Sequence, residues 1–141
     1  MTTPRDGDER ARELLGETIV GQLSFLGLDG FPRVVPVWYD FRDGQLLISN
    51  GPGTYKCRCI RADGRVGFAV SDPTPPYRLV TLTGDAVVER LPEADRVQLA
   101  GGQARRYLGE EQGSRFFSGS PGDGELIRIR PRQIRFTNVS G

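Results

Sequence analysis

Turn dipeptides interrupt this chain at short intervals, and the residues between them alternate in polarity with a period of two. Ile19, Gly21, Leu23 and Phe25 share one face of an extended segment, and Asp29-Gly30 supplies a hairpin turn into Phe31 to Phe41. Asp43-Gly44 turns the chain again into Gln45 to Asn50. Strands joined by such tight turns run antiparallel, so the first part of the chain reads as a three-stranded meander. Gly51-Pro52-Gly53 ends it.

Beyond that point the sequence predicts alternating helices and strands. Thr54 to Ala62 has helical composition, with Tyr55, Cys59 and Ile60 able to share a face, and Asp63-Gly64 closes it. Arg65 to Ser71 reads as a strand, Pro73 to Pro76 as a break, and Tyr77 to Arg90 as a long strand that Gly84 allows to bend. Pro92 opens a helix in which Val97, Ala100, Ala104, Tyr107 and Leu108 recur at helical spacing, and Gly109 ends it. Gly113 to Gly124 reads as an irregular loop, followed by strands Glu125 to Arg130 and Gln133 to Val139 on either side of Pro131. A further short helix is expected from Thr3-Pro4 to Gly16, with Asp6, Asp8 and Glu9 near its positive end. The expected fold is mainly β, a small antiparallel barrel with helices packed outside it.

With 141 residues, one domain with one core is expected over 1–141: an N-terminal helix at 1–16, a barrel core at 18–90, a helix at 92–108 and closing strands at 125–139. Hydrophobic residues make up 37% of the chain, and with 19 glycines the apolar share reaches the half usual for globular proteins, which excludes disorder as the main state. Nineteen basic and 18 acidic side chains leave a net charge of +1, too small to attract a polyanion, so nucleic acid is not expected as a partner. The apolar stretch Thr18 to Leu28 is shorter than a membrane span, and nothing at the N-terminus reads as a signal peptide. A soluble cytoplasmic protein with no membrane partner is expected.

The chain has no histidine, which excludes histidine-based nucleophilic triads and the usual catalytic zinc sites. Any catalysis must use other groups or a borrowed cofactor. Cys57 and Cys59 are poorly spaced for a disulfide and cannot complete a metal site alone, so they read as ordinary reduced thiols, with no metal expected.

Lys56 is the only lysine beside 18 arginines. It falls in the first turn of a predicted helix, where a cation opposes the helix dipole unless an anion sits beside it. Gly51-Pro52-Gly53, free N-H groups at the helix start, the Thr54 hydroxyl and this ammonium together describe a phosphate cradle. The alternative is a solvated lysine on an ordinary capped helix. In Arg33-Val34-Val35-Pro36-Val37-Trp38, Pro36 implies an edge strand or a bulge. Trp38, the only tryptophan, is expected on the same face as Val34 and Pro36, an apolar shelf for a flat heteroaromatic ring or simply core. Ser71 to Arg78 is a stiff loop that delivers Tyr77 and Arg78 either to the wall of a site or to an ordinary link between strands. Arg128, Arg130, Arg132 and Arg135 read as a basic, solvated face.

The order of these motifs resembles the pyridoxamine 5'-phosphate oxidase-like split β-barrel family, and within it the small oxidoreductases that use the deazaflavin coenzyme F420. The likeness runs from Ile19 to Val88. It rests on Gly21-Gln22-Leu23-Ser24-Phe25-Leu26, Pro36-Val37-Trp38-Tyr39, Ile48-Ser49-Asn50-Gly51 leading to Thr54-Tyr55-Lys56-Cys57-Arg58, and Asp72-Pro73-Thr74-Pro75-Pro76-Tyr77-Arg78. The resemblance implies a split antiparallel β-barrel of the FMN-binding type, a homodimer with cofactor sites at the interface, and hydride transfer from reduced F420 to a small organic acceptor. It also implies that Val34, Val35, Pro36, Val37 and Trp38 line the ring, with the Ser49 strand beside it, and that Thr54, Tyr55 and Lys56 bind the phosphate with Arg58 nearby. The resemblance further suggests that Tyr77 and Arg78 approach the site from the partner subunit, and leaves Tyr77, Ser49 or water as the proton donor. FMN in place of F420, and a protein that holds such a ligand without turnover, are the alternatives. Related sequences often carry Lys-x-Arg-Asn-Leu where this chain has Lys56-Cys57-Arg58-Cys59-Ile60, which removes a polar asparagine. The basic groups that would grip pyridoxamine phosphate are not matched.

Overall fold

The computed structural model describes residues 6–117 and 122–138. Seven strands form one antiparallel sheet: β1 (Gly21–Leu26), β2 (Pro32–Val37), β3 (Asp40–Arg42), β4 (Gln45–Asn50), β5 (Arg65–Ser71), β6 (Arg78–Leu91) and β7 (Gly124–Asn138). Their spatial order is β2-β1-β5-β6-β7-β4-β3. Helices α1 (Asp6–Leu15), α2 (Tyr55–Ala62), α3 (Glu93–Leu108) and α4 (Glu110–Phe117) flank it. The fold is therefore mainly β, as expected.

The predicted strand from Phe31 to Phe41 is two strands. β2 and β3 lie at opposite ends of the sheet, yet only Trp38 and Tyr39 separate them in sequence. Two residues carry the chain no further than about 11 Å, whereas a flat seven-stranded sheet would hold its edges about 29 Å apart. The sheet must therefore roll until its edges nearly meet. No ladder joins β2 to β3, so the barrel is split at this seam. Alternation does not reveal the break, because Val34 to Tyr39 is an unbroken apolar and aromatic run across it.

Two further expectations are corrected. The two closing strands are one continuous strand, β7, whose register against β6 shifts between Thr83 and Gly84: Gly84 faces Pro131, Thr83 faces Gln133, and Arg132 is the extra residue. A bulge accommodates Pro131, which has no N-H to give to the ladder. Gly113 to Phe117 belongs to helix α4 rather than a loop, and Gly113 is glycine because a Cβ there would lie 2.4 Å from the Arg105 Cα of α3. The Asp43-Gly44 turn is as expected, with both residues at positive φ, 51° and 75°. Val139 and Thr3-Pro4, named as strand and helix ends, lie outside the described residues.

Inward residues of the strands fill the barrel: Leu23, Phe25, Val37, Leu46, Ile48, Phe68, Val80, Leu82, Ile127 and Ile129 are all buried. Helix α1 adds Ala11, Leu14 and Leu15 at helical spacing, and α2 adds Cys57, Cys59 and Ile60. Both cysteines are free thiols. Tyr39 is fully buried at the seam, its ring edge-on to Phe68 at 5.0 Å, and its hydroxyl donates to the Leu15 carbonyl at 2.8 Å. Burial pushes its pKa up, so it stays a neutral donor.

Tyr39→Phe leaves the Leu15 carbonyl without its donor inside the barrel and is expected to lower stability by about 1–2 kcal/mol. Urea unfolding of both proteins checks this; an unchanged midpoint would mean that the bond adds nothing.

Candidate functional site

Where the sheet is split, a hollow of about 390 Å³ opens between β2, β4, α2 and α3, lined by Val20, Pro36, Val37, Trp38, Ile48, Ser49, Lys56 and Gln103. A second hollow of about 260 Å³, lined by Trp38, Ser49, Asn50, Gly51, Arg96, Ala100 and Phe116, shares Trp38 and Ser49 with it. Its apolar lining and its few polar groups have the character of a small-molecule site. A larger open hollow of about 690 Å³ lies over Ser24, Gly67, Thr83 and Arg132, and contains none of the residues expected to hold the cofactor.

Helix α3 builds one wall through a single face. Gln103, Arg106 and Tyr107 stand at i, i+3 and i+4 and each takes hold of a different part of the seam. The Tyr107 ring stacks on Trp38 with centroids 5.5 Å apart and planes 6° from parallel, and its hydroxyl donates to the Ile19 carbonyl at 2.9 Å. Arg106 donates to the Asp40 carboxylate at 2.8 Å and to the Tyr39 carbonyl at 3.2 Å. Gln103 reaches β4, where it meets Ser49 and the Leu47 carbonyl. From α4, Phe116 leans on Trp38 at 5.5 Å with its ring tilted 57°. Val97, expected on the buried face of α3, is instead half exposed, because the buried face is that of Gln103, Ala104 and Tyr107.

Lys56 enters the hollow from the first turn of α2. Its ammonium has no ion pair among the described residues, and burial pulls its pKa below the ordinary lysine value. The predicted cradle around it is already partly occupied. The Thr54 hydroxyl caps the helix by accepting from the Cys57 N-H at 3.3 Å, and the Gly53 N-H donates to the Glu125 carboxylate at 2.8 Å, which also pairs with Arg61. Thr54 keeps its own hydroxyl proton to donate to an anion, beside the Lys56 ammonium.

The structure thus brings Pro36, Val37, Trp38, Ser49 and Lys56 to one hollow and leaves the other named residues outside its walls. Val34 points to solvent from the outermost strand, and Val35 is partly buried against the core. Val34 and Pro36 share the outer face of β2 as expected, but Trp38 does not extend it, since β2 ends at Val37 and Trp38 turns onto α3. Tyr55 faces the β1–β2 turn: its hydroxyl accepts from the Leu28 N-H at 3.1 Å, and Arg33 and Arg58 lie over its ring at 5.4 and 5.5 Å. Tyr77 sits at φ 58° in an exposed turn. Its neighbour Arg78 is engaged by Asp72 and Glu17, which ties the loop to the end of α1. In the basic stretch, Arg128 pairs with Glu89 and Arg132 with Asp85, so much of that face is neutralised across strands. Gln103, Val20, Arg96 and Phe116 were not singled out from the sequence. None of them carried a signal in the sequence.

The chain belongs to the Pyridoxamine 5'-phosphate oxidase family, whose sequence pattern it matches over residues 8–138. No curated protein sequence matches it. Among solved structures it is similar to a conserved hypothetical protein of Mycobacterium tuberculosis, at 22% identity and TM-score 0.72, covering 98% of this chain and 91% of that one. It is similar to an F420 reductase at 22% identity and TM-score 0.68, covering 94% and 98%. It is also similar to an FAD-binding protein of Mesorhizobium loti at 24% identity and TM-score 0.60, covering 91% of each. At these identities the likeness is one of fold. Among the described residues no helix is long and apolar enough to cross a membrane, and no cluster of metal-ligating side chains occurs.

Because Lys56 is the only lysine, isotope-labelled lysine yields one side-chain signal whose titration reads this site alone. Its midpoint is expected below the ordinary 10.5, since burial disfavours the cation, and to move back up when an anion binds. A midpoint at or above 10.5 in the free protein would show that the ammonium is solvated.

Proposed function

We propose that this protein is an F420-dependent oxidoreductase that holds the deazaflavin ring in the hollow at the seam and serves hydride transfer from reduced F420 to a small organic acceptor. The observation that carries the reading is the meeting of an ammonium with no ion pair among the described residues, Lys56, with the apolar walls Pro36, Val37 and Trp38 in one hollow of about 390 Å³. A phosphate-bearing flat ring matches both features, and the similarity to an F420 reductase points the same way. The bound coenzyme would supply the hydride chemistry. The chain's residues would bind and orient it: Lys56 and the Thr54 hydroxyl at the phosphate, Trp38 and Pro36 along the ring, Ser49 at a polar edge. Val34, Val35, Thr54, Tyr55, Arg58 and Tyr77 lie outside the walls of the hollow in one chain, so any contact they make with the ligand is proposed at its rim, across a dimer or after closure around it.

A homodimer is part of this reading. Phe31, Val34 and Leu28 are 71%, 65% and 55% exposed along the outermost strand and its turn, an apolar row on a sheet edge that a second copy would cover. A second reading, FMN in place of F420, is favoured by the similarity to an FAD-binding protein. In either case the protein is proposed to act in the cytoplasm on a small molecule.

Titration of Trp38 fluorescence with oxidised F420 and with FMN tests the choice, and F420 is expected to bind in the micromolar range or tighter with little response to FMN. The reverse preference would install FMN, and no response to either ring would overturn the proposal. Lys56→Ala is expected to weaken F420 binding by about 1.5–3 kcal/mol, roughly 10- to 150-fold, without lowering the melting temperature of the free protein. With wild type, affinity is expected to fall as pH rises through the depressed Lys56 pKa, because the neutral amine no longer attracts phosphate. Lys56→Arg, which stays charged, is expected to flatten that fall. Sedimentation is expected to give a dimer, and a monomer that binds F420 with full affinity would show that the second copy is not needed.

A further inference from the structure

Ser49 lies where the two hollows meet, and its hydroxyl is not free to choose a partner. Gln103, 2% exposed, is oriented from below: its amide Nε2 donates to the Leu47 carbonyl at 3.1 Å, which only the NH2 end of the side chain can do. Its Oε1 therefore faces Ser49 and accepts from the Ser49 Oγ at 2.9 Å. The single hydroxyl proton of Ser49 is thereby committed, and what the oxygen can show to a ligand is lone pairs. The backbone of β4 sets the polarity of Ser49 through one glutamine on α3.

We infer that Gln103 is a positioning residue that makes Ser49 an obligate hydrogen-bond acceptor, and that the pair selects a ring by a donor on its edge. This rests on the proposed binding of a flavin or deazaflavin ring. Both oxidised rings share a pyrimidinedione edge, one imide N-H between two carbonyl oxygens, so the group Ser49 accepts from is the imide N-H. A carbonyl oxygen opposite Ser49 would meet lone pairs with lone pairs. The same commitment removes Ser49 from the candidate proton donors to product.

The test compares the affinity of F420 and FMN with that of their N3-methyl derivatives, read by Trp38 fluorescence. In the wild type, methylation is expected to weaken the better-bound ring by about 10-fold or more, since it removes the donor and crowds the acceptor. Ser49→Ala is expected to bind the unmethylated ring more weakly and to narrow the preference. Gln103→Leu, which frees the Ser49 proton to rotate, is expected to narrow it as well. Gln103→Glu, whose carboxyl in its neutral form donates its O-H to the Leu47 carbonyl and accepts from Ser49 through the other oxygen, is expected to keep it. A merely structural role for Gln103 would alter melting temperature or both affinities together, not their ratio. If the wild type binds a ring but Ser49→Ala and Gln103→Leu discriminate against methylation as strongly as it does, the inference falls while the cofactor reading stands. If neither ring binds, both fall.

Discussion

The connection that the rest of this molecule depends on is two residues long. Trp38 and Tyr39 join strands at opposite edges of a seven-stranded sheet, and a link that short forces the sheet to roll. Everything inside the roll becomes core. The two linking residues then serve opposite ends of one constraint: Tyr39 turns inward and ties the seam to α1 through Leu15, while Trp38 turns outward and becomes the wall of the hollow. Barrel closure and site formation are in this sense one event. A seam with no ladder across it is also where a barrel can be entered without breaking strand pairing.

Helix α3 prevents the seam from gaping. A stacked ring, a guanidinium on a buried carboxylate and a buried amide lie on one helical face, so rotation of α3 would break all three together. Asp40 is almost fully buried and is shared by Arg106 and Arg42, which compensates the removal of its charge from water. Helix α4 is locked to α3 by the close approach at Gly113 and carries Phe116 against Trp38. The tryptophan is thus held by two rings, Tyr107 and Phe116, before any ligand arrives, which reduces the ordering required on binding.

Much of this was legible in the sequence where chemistry is local. Asp43-Gly44 announces a turn because both positions need positive φ, and Pro36 announces an edge because it has no N-H to pair inside a sheet. The helix with Lys56 in its first turn was legible from Thr54 and the glycines before it. What was not legible depends on partners distant in sequence. The break after Val37 follows from where β3 must pair, the continuity of β7 from a bulge that absorbs Pro131, and the helicity of Gly113 to Phe117 from packing on α3. Gln103 is silent as a sequence letter, because its meaning lies in the Leu47 carbonyl, 56 positions away.

The polar groups around the hollow are not equally satisfied, and the difference is informative. Glu125 is engaged twice, by Gly53 and Arg61, and Asp40 twice, by Arg42 and Arg106, so the acids of this region are already matched within the chain. Lys56 is the exception, a half-buried ammonium with no ion pair among the described residues, whose charge burial disfavours. A cation held that way lowers the stability of the free protein, and an anion beside it would relieve the penalty and recover it as affinity. The unmatched charge and the matched acids together give the hollow a sign. It disfavours cationic ligands by lacking a free carboxylate in its walls, and favours an anion at one end of a flat apolar slot.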